Sequence, residues 1–275
     1  MSGERVSLAW NGREVEIEVA WIHPDLRNTP VMVFLHEGLG SVAMWKDFPQ
    51  RLCQALGWRG LVYSRPGYGR STPRPAAETW GPDFMHSQAR ELLPALLQAL
   101  GLSGPGAPPL WLFGHSDGGS ITLLHAASAC ASLSGAIVLA PHILVEDISV
   151  RSIEVARQAY ESGPLRAGLA RYHDDPDSAF WGWNRIWLDP AFRDWNITAE
   201  LKHLRCPVLA VQGLDDEYGT LEQIRGIARQ APRTQLLELP GCGHSPHRDQ
   251  AEALIAAVQG FVAAQGFRPT LSPPA

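Results

Sequence analysis

Residues 114–119 read Gly-His-Ser-Asp-Gly-Gly, directly after the apolar run "PLWLF" and directly before "SITLLHAASA", which has the character of a helix. A serine with glycine two residues before and two after, between a strand and a helix, marks a sharp turn that lifts the hydroxyl clear of a sheet. Both glycines are required there, because a β-carbon would strike the neighbouring strand or helix. The helix that begins after Ser116 directs its first amides at any negative charge forming beside the serine. A serine hydroxyl is a poor nucleophile near neutral pH, so it needs a base, and the base needs an acid to orient it.

Two later loops offer those groups. The run "CPVLAVQG" ends in Gly213-Leu214-Asp215-Asp216-Glu217-Tyr218-Gly219, and "TQLLELPG" ends in Gly241-Cys242-Gly243-His244-Ser245-Pro246-His247. His244, flanked by glycine just past a strand end, is the preferred base, with His247 as its rival. His125 and His203 read as helix or loop surface. Asp216 is preferred to Asp215 as the acid, with Glu217 and Asp147 further off. The chain order Ser, Asp, His suits an open α/β sheet. A third loop, Phe34-Leu35-His36-Glu37-Gly38-Leu39-Gly40-Ser41, is glycine-rich and carries an unexpected carboxylate.

Strands must present these loops together. "VSLAW" and "EVEIEVAWI" alternate around Asn11-Gly12, a hairpin signal. Six short apolar runs follow, "VMVFLH", "GLVYSR", "PLWLFGHS", "GAIVLAP", "CPVLAVQG" and "TQLLELPG", of the kind buried on both faces of a parallel sheet. Helices are expected over about 45–57, 83–101, 117–131, 220–231 and 248–264, which gives an α/β sheet covered by helices. Between about 142 and 200 the alternation stops and the text turns aromatic, with Trp181, Trp183, Trp187 and Trp195. That excursion is too long for a loop and should carry its own helices. The expected division is a core of 1–141 and 201–275 with 142–200 as an inserted helical lid. The tail "RPTLSPPA" reads as frayed.

Composition narrows the function. With 45% hydrophobic and 19% charged residues, the 275-residue chain is an ordinary globule, and its formal net charge of −5 gives no basic field for nucleic acid. No stretch approaches 18 uninterrupted apolar residues, and the start lacks a basic segment followed by an apolar one, so no membrane partner and a cytoplasmic location are expected. Cys53, Cys130, Cys206 and Cys242 are scattered and read as reduced thiols serving as small apolar residues.

On these motifs the chain resembles the α/β-hydrolase superfamily over nearly its whole length. It is most similar to the lid-bearing branch of carboxylesterases, meta-cleavage C–C hydrolases and proline iminopeptidase-like enzymes. The matching texts are the His36 loop after the third strand, "RPGYGRS" after the fourth, "GHSDGG" after the fifth, the Asp loop and "GCGHSPH". The resemblance implies a mostly parallel sheet with flanking helices and an N-terminal antiparallel hairpin. It also implies Ser116 as nucleophile, His244 as base, Asp216 as its partner, and an oxyanion hole from the amides of Gly38 and Asp117. Neither a metal nor an organic cofactor is implied.

Glu37 departs from the family's usual glycine. A buried carboxylate needs a partner, and Arg65 is the preferred one; the alternative has Glu37 facing the pocket, repelling anions or holding a water. The expected reaction is hydrolysis of a hydrophobic small-molecule ester, with thioester or lactone close behind and a lid that supplies an acyl pocket from Trp181, Trp183, Trp187, Phe180 and Phe192. The rival readings are C–C hydrolysis, which would require a cation such as Arg185 or Arg171, and a ligand receptor with slow turnover. The protein itself is expected as monomer or homodimer.

Overall fold

Alternation in the first twenty residues produces a hairpin. Glu4–Trp10 (β1) and Arg13–Ile22 (β2) pair antiparallel across Asn11-Gly12, whose φ values of +50° and +71° give the doubly left-handed turn that Asn-Gly favours. The structure is a computed structural model that describes residues 3–128 and 132–267. Each of the six apolar runs becomes a strand: Val31–Leu35 (β3), Arg59–Tyr63 (β4), Leu110–His115 (β5), Gly135–Leu139 (β6), Val208–Gly213 (β7) and Thr234–Leu239 (β8). The sheet order is β1-β2-β4-β3-β5-β6-β7-β8. The pairs β1–β2 and β2–β4 are antiparallel and the others parallel.

Burial on both faces is resolved residue by residue. Val31, Val33 and Leu35 of β3 enter one core cluster, while Met32 and Phe34 enter the other; β5, β6 and β7 alternate in the same way. Strand β8 departs from the expectation: as the far edge it has one side open, and most of its residues are only half-buried.

Helices cover both faces: Phe48–Leu56 (α1), Phe84–Ser87 (α2), Leu93–Ala99 (α3), Asp117–Ala126 (α4), Asp147–Ser162 (α5), Leu165–Leu169 (α6), Pro176–Trp187 (α7), Thr198–Leu201 (α8), Glu222–Gln230 (α9), Pro246–Asp249 (α10) and Ala251–Ala264 (α11). The single helix expected over 83–101 is interrupted by a π turn at Gln88–Leu92. Pro94 has no N–H for a bond to the carbonyl four residues back, so the ladder shifts just before it. The helix expected over 248–264 breaks at Gln250, whose φ of −140° and ψ of 51° are not helical.

The excursion between β6 and β7 holds α5 to α8 and a 3-10 turn, Pro190–Phe192. Helix α7 starts with Pro176 after Asp175, whose carboxylate caps the Ser178 amide at 2.9 Å. It lies over the C-terminal ends of the strands: Ser178 Oγ donates to the Gly67 carbonyl at 3.0 Å and accepts from the Arg74 amide at 2.7 Å, both in the loop after β4.

Cys53, Cys206 and Cys242 are buried and unbridged. Cys130, the end of the helix expected to reach 131, and the Pro-rich tail lie outside the described residues. No described helix is long and apolar enough to cross a membrane.

Candidate active site

The turn after β5 shows why its glycines have no substitute. Ser116 has φ +52° and ψ −120°, disfavoured for a residue with a β-carbon and held here by its surroundings. The Ser116 amide donates to the Leu139 carbonyl of β6 at 2.9 Å. A β-carbon on Gly114 would come within 2.2 Å of the Gly118 carbonyl oxygen, and one on Gly118 within 2.1 Å of the Leu35 carbonyl oxygen. Helix α4 can therefore begin immediately after Ser116 and pass tightly behind β3.

Three side chains from three strand ends meet at this turn. The Ser116 hydroxyl lies 3.0 Å from His244 Nε2, and His244 Nδ1 lies 2.8 Å from Asp216 Oδ1. A carboxylate oxygen can only accept, so Nδ1 carries the proton and Nε2 presents its lone pair to the serine. Asp216 is 8% exposed. Oδ1 also accepts from the Tyr218 amide at 2.8 Å, and Oδ2 accepts from Gln212 Nε2 at 3.0 Å. Burial alone would raise its pKa, but the His244 hydrogen bond and charge and the Tyr218 amide outweigh that and lower it. Asp215 is exposed. Glu217 instead accepts from the His244 amide at 3.2 Å, and Asp147 pairs with Arg193.

The other histidines separate clearly. His247 is buried in a ring cluster with Trp45, Phe48 and His115, its ring 4.9 Å from those of Trp45 and His115. His125, expected on the surface, is 5% exposed, and its Nδ1 donates to the Ala89 carbonyl at 2.9 Å; helix α4 is buried all round, so none of its positions faces water. His203 is exposed.

The loop after β3 corrects the expected Glu37–Arg65 ion pair. Arg65 Nη2 donates to the backbone carbonyl of Glu37 at 2.7 Å, and Nη1 lies 3.8 Å from Asp117 Oδ2. Arg65 is wholly buried and its guanidinium sits 4.6 Å from the Tyr68 ring. The same Glu37 carbonyl accepts from His36 Nδ1 at 2.7 Å and from the Gly40 amide at 3.1 Å. In a trans peptide the carbonyl and the following N–H point in opposite directions. Three donors drawing the Glu37 carbonyl one way thus aim the Gly38 amide the other way. The Glu37 carboxylate turns elsewhere, with Oε2 3.7 Å from His115 Nδ1 and Oε1 3.8 Å from Arg248 Nη2. Burial works to raise its pKa, but His115, His36 and Arg248 outweigh that and hold it well below the usual carboxylate range.

The sequence pattern of the alpha/beta hydrolase family matches residues 32–257, from β3 to the middle of α11. The chain belongs to that family. Solved structures with the same architecture include a thermophilic esterase from Thermogutta terrifontis, 23% identical over 95% of this chain and 99% of that one with a TM-score of 0.71. A carboxylesterase structure from Nitrososphaera gargenis is 19% identical over 95% and 99% with a TM-score of 0.72. The enol-lactonase from Burkholderia xenovorans LB400 is 18% identical over 94% and 100% with a TM-score of 0.69. At these identities the likeness is one of fold.

In this hydrolase a cavity of about 200 Å³ opens over Ser116 and His244. Its lining is largely apolar, with Leu39, Met44, Ile153 and Leu165 among the walls, and it includes Gly38, Asp117 and Glu37. Trp183 and Trp187 form its roof, one helical turn apart on α7. Trp183 lies so close to Gly38 that an added β-carbon would be 2.2 Å from its Nε1. Trp187 Nε1 donates to Asp117 Oδ1 at 3.1 Å. Asp117 is fully buried, and burial raises its pKa against the pull of Arg65.

Trp181, expected to bind substrate, does not reach the cavity. Two residues before Trp183 is about 200° around a helix, and its ring packs on Tyr160 and Phe180 with Arg157 and Arg185 beside it. Phe180 and Phe192 are core residues. Arg185 is thereby committed to Trp181, Arg171 is exposed, and no lysine or arginine among the described residues lines the cavity. Sequence reasoning passed over His142, Met44 and Tyr218. The available signal for His142 was a polar residue three positions past the end of β6, the strand beside β5.

Proposed function

We propose that the chain is a serine hydrolase that cleaves a neutral carboxylic ester of a small hydrophobic molecule through an acyl-enzyme. The observation that carries this reading is the continuous contact Ser116 to His244 to Asp216, at 3.0 and 2.8 Å, opening into a mostly apolar cavity. Ser116 Oγ attacks the ester carbonyl as His244 Nε2 takes its proton, and Asp216 stabilises the resulting imidazolium. The negative charge that develops on the carbonyl oxygen is met by the Gly38 and Asp117 amides. His244 passes its proton to the departing alcohol, then deprotonates water for deacylation.

Helices α5 to α8, Asp147–Leu201, act as the lid, with Trp183 and Trp187 as its inner face. Lactones and thioesters present the same carbonyl chemistry. An esterase and an enol-lactonase among the structural relatives support that range. C–C hydrolysis of acidic ring-fission products is disfavoured, because the described lining offers no lysine or arginine for a substrate carboxylate and carries Glu37 instead.

The test is a panel of p-nitrophenyl and alkyl esters with the wild type and Ser116→Ala, combined with a fluorophosphonate label. Wild type should turn over and be labelled at Ser116, and the variant should lose both, its residual rate falling by about 10⁴ or more. Labelling that persists in Ser116→Ala would place the nucleophile elsewhere. Labelled wild type with negligible turnover would favour a receptor.

A further inference from the structure

His142 has no part in the chemistry above, yet the chain is forced into place around it. Ala140, just past β6, has φ +42°, a conformation that L-residues with a β-carbon adopt only under constraint. Its amide still bonds the Val211 carbonyl of β7 at 2.8 Å, and Pro141 packs on α4, where a β-carbon on Gly119 would lie 3.0 Å from Pro141 Cβ. The backbone of His142 is then held twice by one hydroxyl. Its amide donates to Ser120 Oγ at 3.0 Å, and Ser120 Oγ donates to its carbonyl at 2.6 Å. Ser120 is one turn beyond Ser116 on the same helix, so His142 is fixed relative to the nucleophile.

The ring that this scaffold presents bonds no described residue. It is 3% exposed and lines the same cavity as Ser116 and His244. It packs edge-on against Trp187 at 4.8 Å and lies 5.9 Å from the His244 ring. Nδ1 is buried without a hydrogen-bond partner, and no bond to a described residue satisfies Nε2. Buried polar groups in folded proteins are nearly always paired, so an unpaired, rigidly mounted imidazole beside the nucleophile points to a partner on the substrate. Burial, reinforced by the charge of His244, lowers its pKa to about 3. The ring is therefore neutral near pH 7, with one N–H donor and one lone pair.

We propose that His142 is a specificity residue that hydrogen-bonds a hydroxyl or carbonyl oxygen carried by the substrate near its scissile ester. The preferred substrates are thus neutral oxygenated esters, in preference to plain hydrocarbon-chain esters. A carboxylate is excluded as the recognised group, because a neutral ring cannot compensate its charge and the Glu37 carboxylate lines the same cavity. This inference rests on the serine-hydrolase reading.

The experiment measures kcat/KM for matched ester pairs that differ by one hydroxyl or keto oxygen, placed on the acyl side in one series and on the alcohol side in another. Wild type should favour the oxygenated member in at least one series by about tenfold or more, the weight of one buried hydrogen bond. His142→Phe should bring that ratio close to one, and His142→Gln, which keeps a donor and an acceptor, should recover part of it. Equal rates for both members in every wild-type pair, or a preference that survives in His142→Phe, overturns the proposal. Fluorophosphonate labelling of wild type separates the two levels. Labelling without discrimination defeats only the role of His142, whereas no labelling and no ester turnover defeats the serine-hydrolase reading and this inference with it.

Discussion

Arg65 reaches the loop after β3 through a carbonyl, and that changes what a substitution there should do. Its guanidinium supports the Glu37–Gly38 peptide and is the cationic neighbour of the buried Asp117 carboxylate. Arg65→Met would leave Asp117 buried without its partner, at a stability loss of about 3 kcal/mol. It would also release the peptide that aims the Gly38 amide. Because that amide is proposed to act on charge present chiefly in the transition state, kcat should fall about tenfold with KM little changed. Urea denaturation and steady-state ester kinetics check both parts; a variant with wild-type midpoint and kcat would show that the peptide is held without Arg65. Glu37 makes its own contacts, to His115 and Arg248, which tie the loop after β3 to strand β5 and to α10.

At the scale of elements, α7 is the piece that joins the proposed lid to the Ser116 site. Its residues Trp183 and Trp187 share one face, and each touches one of the two residues proposed to hold the oxyanion: Trp183 packs on Gly38, and Trp187 bonds Asp117. Seating this helix and shaping the proposed oxyanion hole are thus one event. Trp187→Phe keeps most of the apolar contact but removes the only N–H on Asp117 Oδ1 among the described side chains. Stability should fall by about 1–2 kcal/mol, and kcat should drop about tenfold while Ser116 still labels. Thermal melts and ester kinetics test this, and an unchanged kcat would show that α7 roofs the site without shaping it. The turn at Ser116 is stiffer, since Gly118 faces backbone rather than side chain at 2.1 Å and its neighbour cannot rotate away.

Across the whole molecule, buried imidazoles set the response to acid. His36, His125, His142, His173 and His247 are all held below the ordinary histidine pKa, burial being the first cause in each case. Once unfolded, each binds a proton near pH 6.5. Below that pH the unfolded chain holds more protons than the folded one, so stability falls as pH falls. For His142, with a folded pKa of about 3, the loss between pH 7 and pH 5 is about 2 kcal/mol. Glu37 and Asp216, both depressed, keep their contribution above the ordinary carboxylate pKa and lose it only at lower pH; Asp117, raised, runs the other way. The urea midpoint should therefore decline already between pH 7 and pH 5. A flat profile over that window would mean that the buried rings gain protons without unfolding.

The sequence by itself determined the sheet, the order Ser, Asp, His along the chain, and the glycines of the turn at Ser116. Those features are local: alternation, apolar runs and a five-residue turn each follow from neighbours in the chain. It also singled out the loop with Asp215 and Asp216 and the loop with His244, because each follows a strand. Only the tertiary structure decided that Asp216 and not its neighbour meets His244, that Arg65 takes the Glu37 carbonyl and leaves the carboxylate to His115, that Trp181 turns away while Trp183 and Trp187 turn in, and that the ring of His142 stands beside Ser116 with no hydrogen-bond partner among the described residues. Those outcomes depend on the relative angles of strands and helices far apart in the chain. A shift of one residue in position, or one rotamer, reverses them without altering the hydrophobic pattern from which the fold is read.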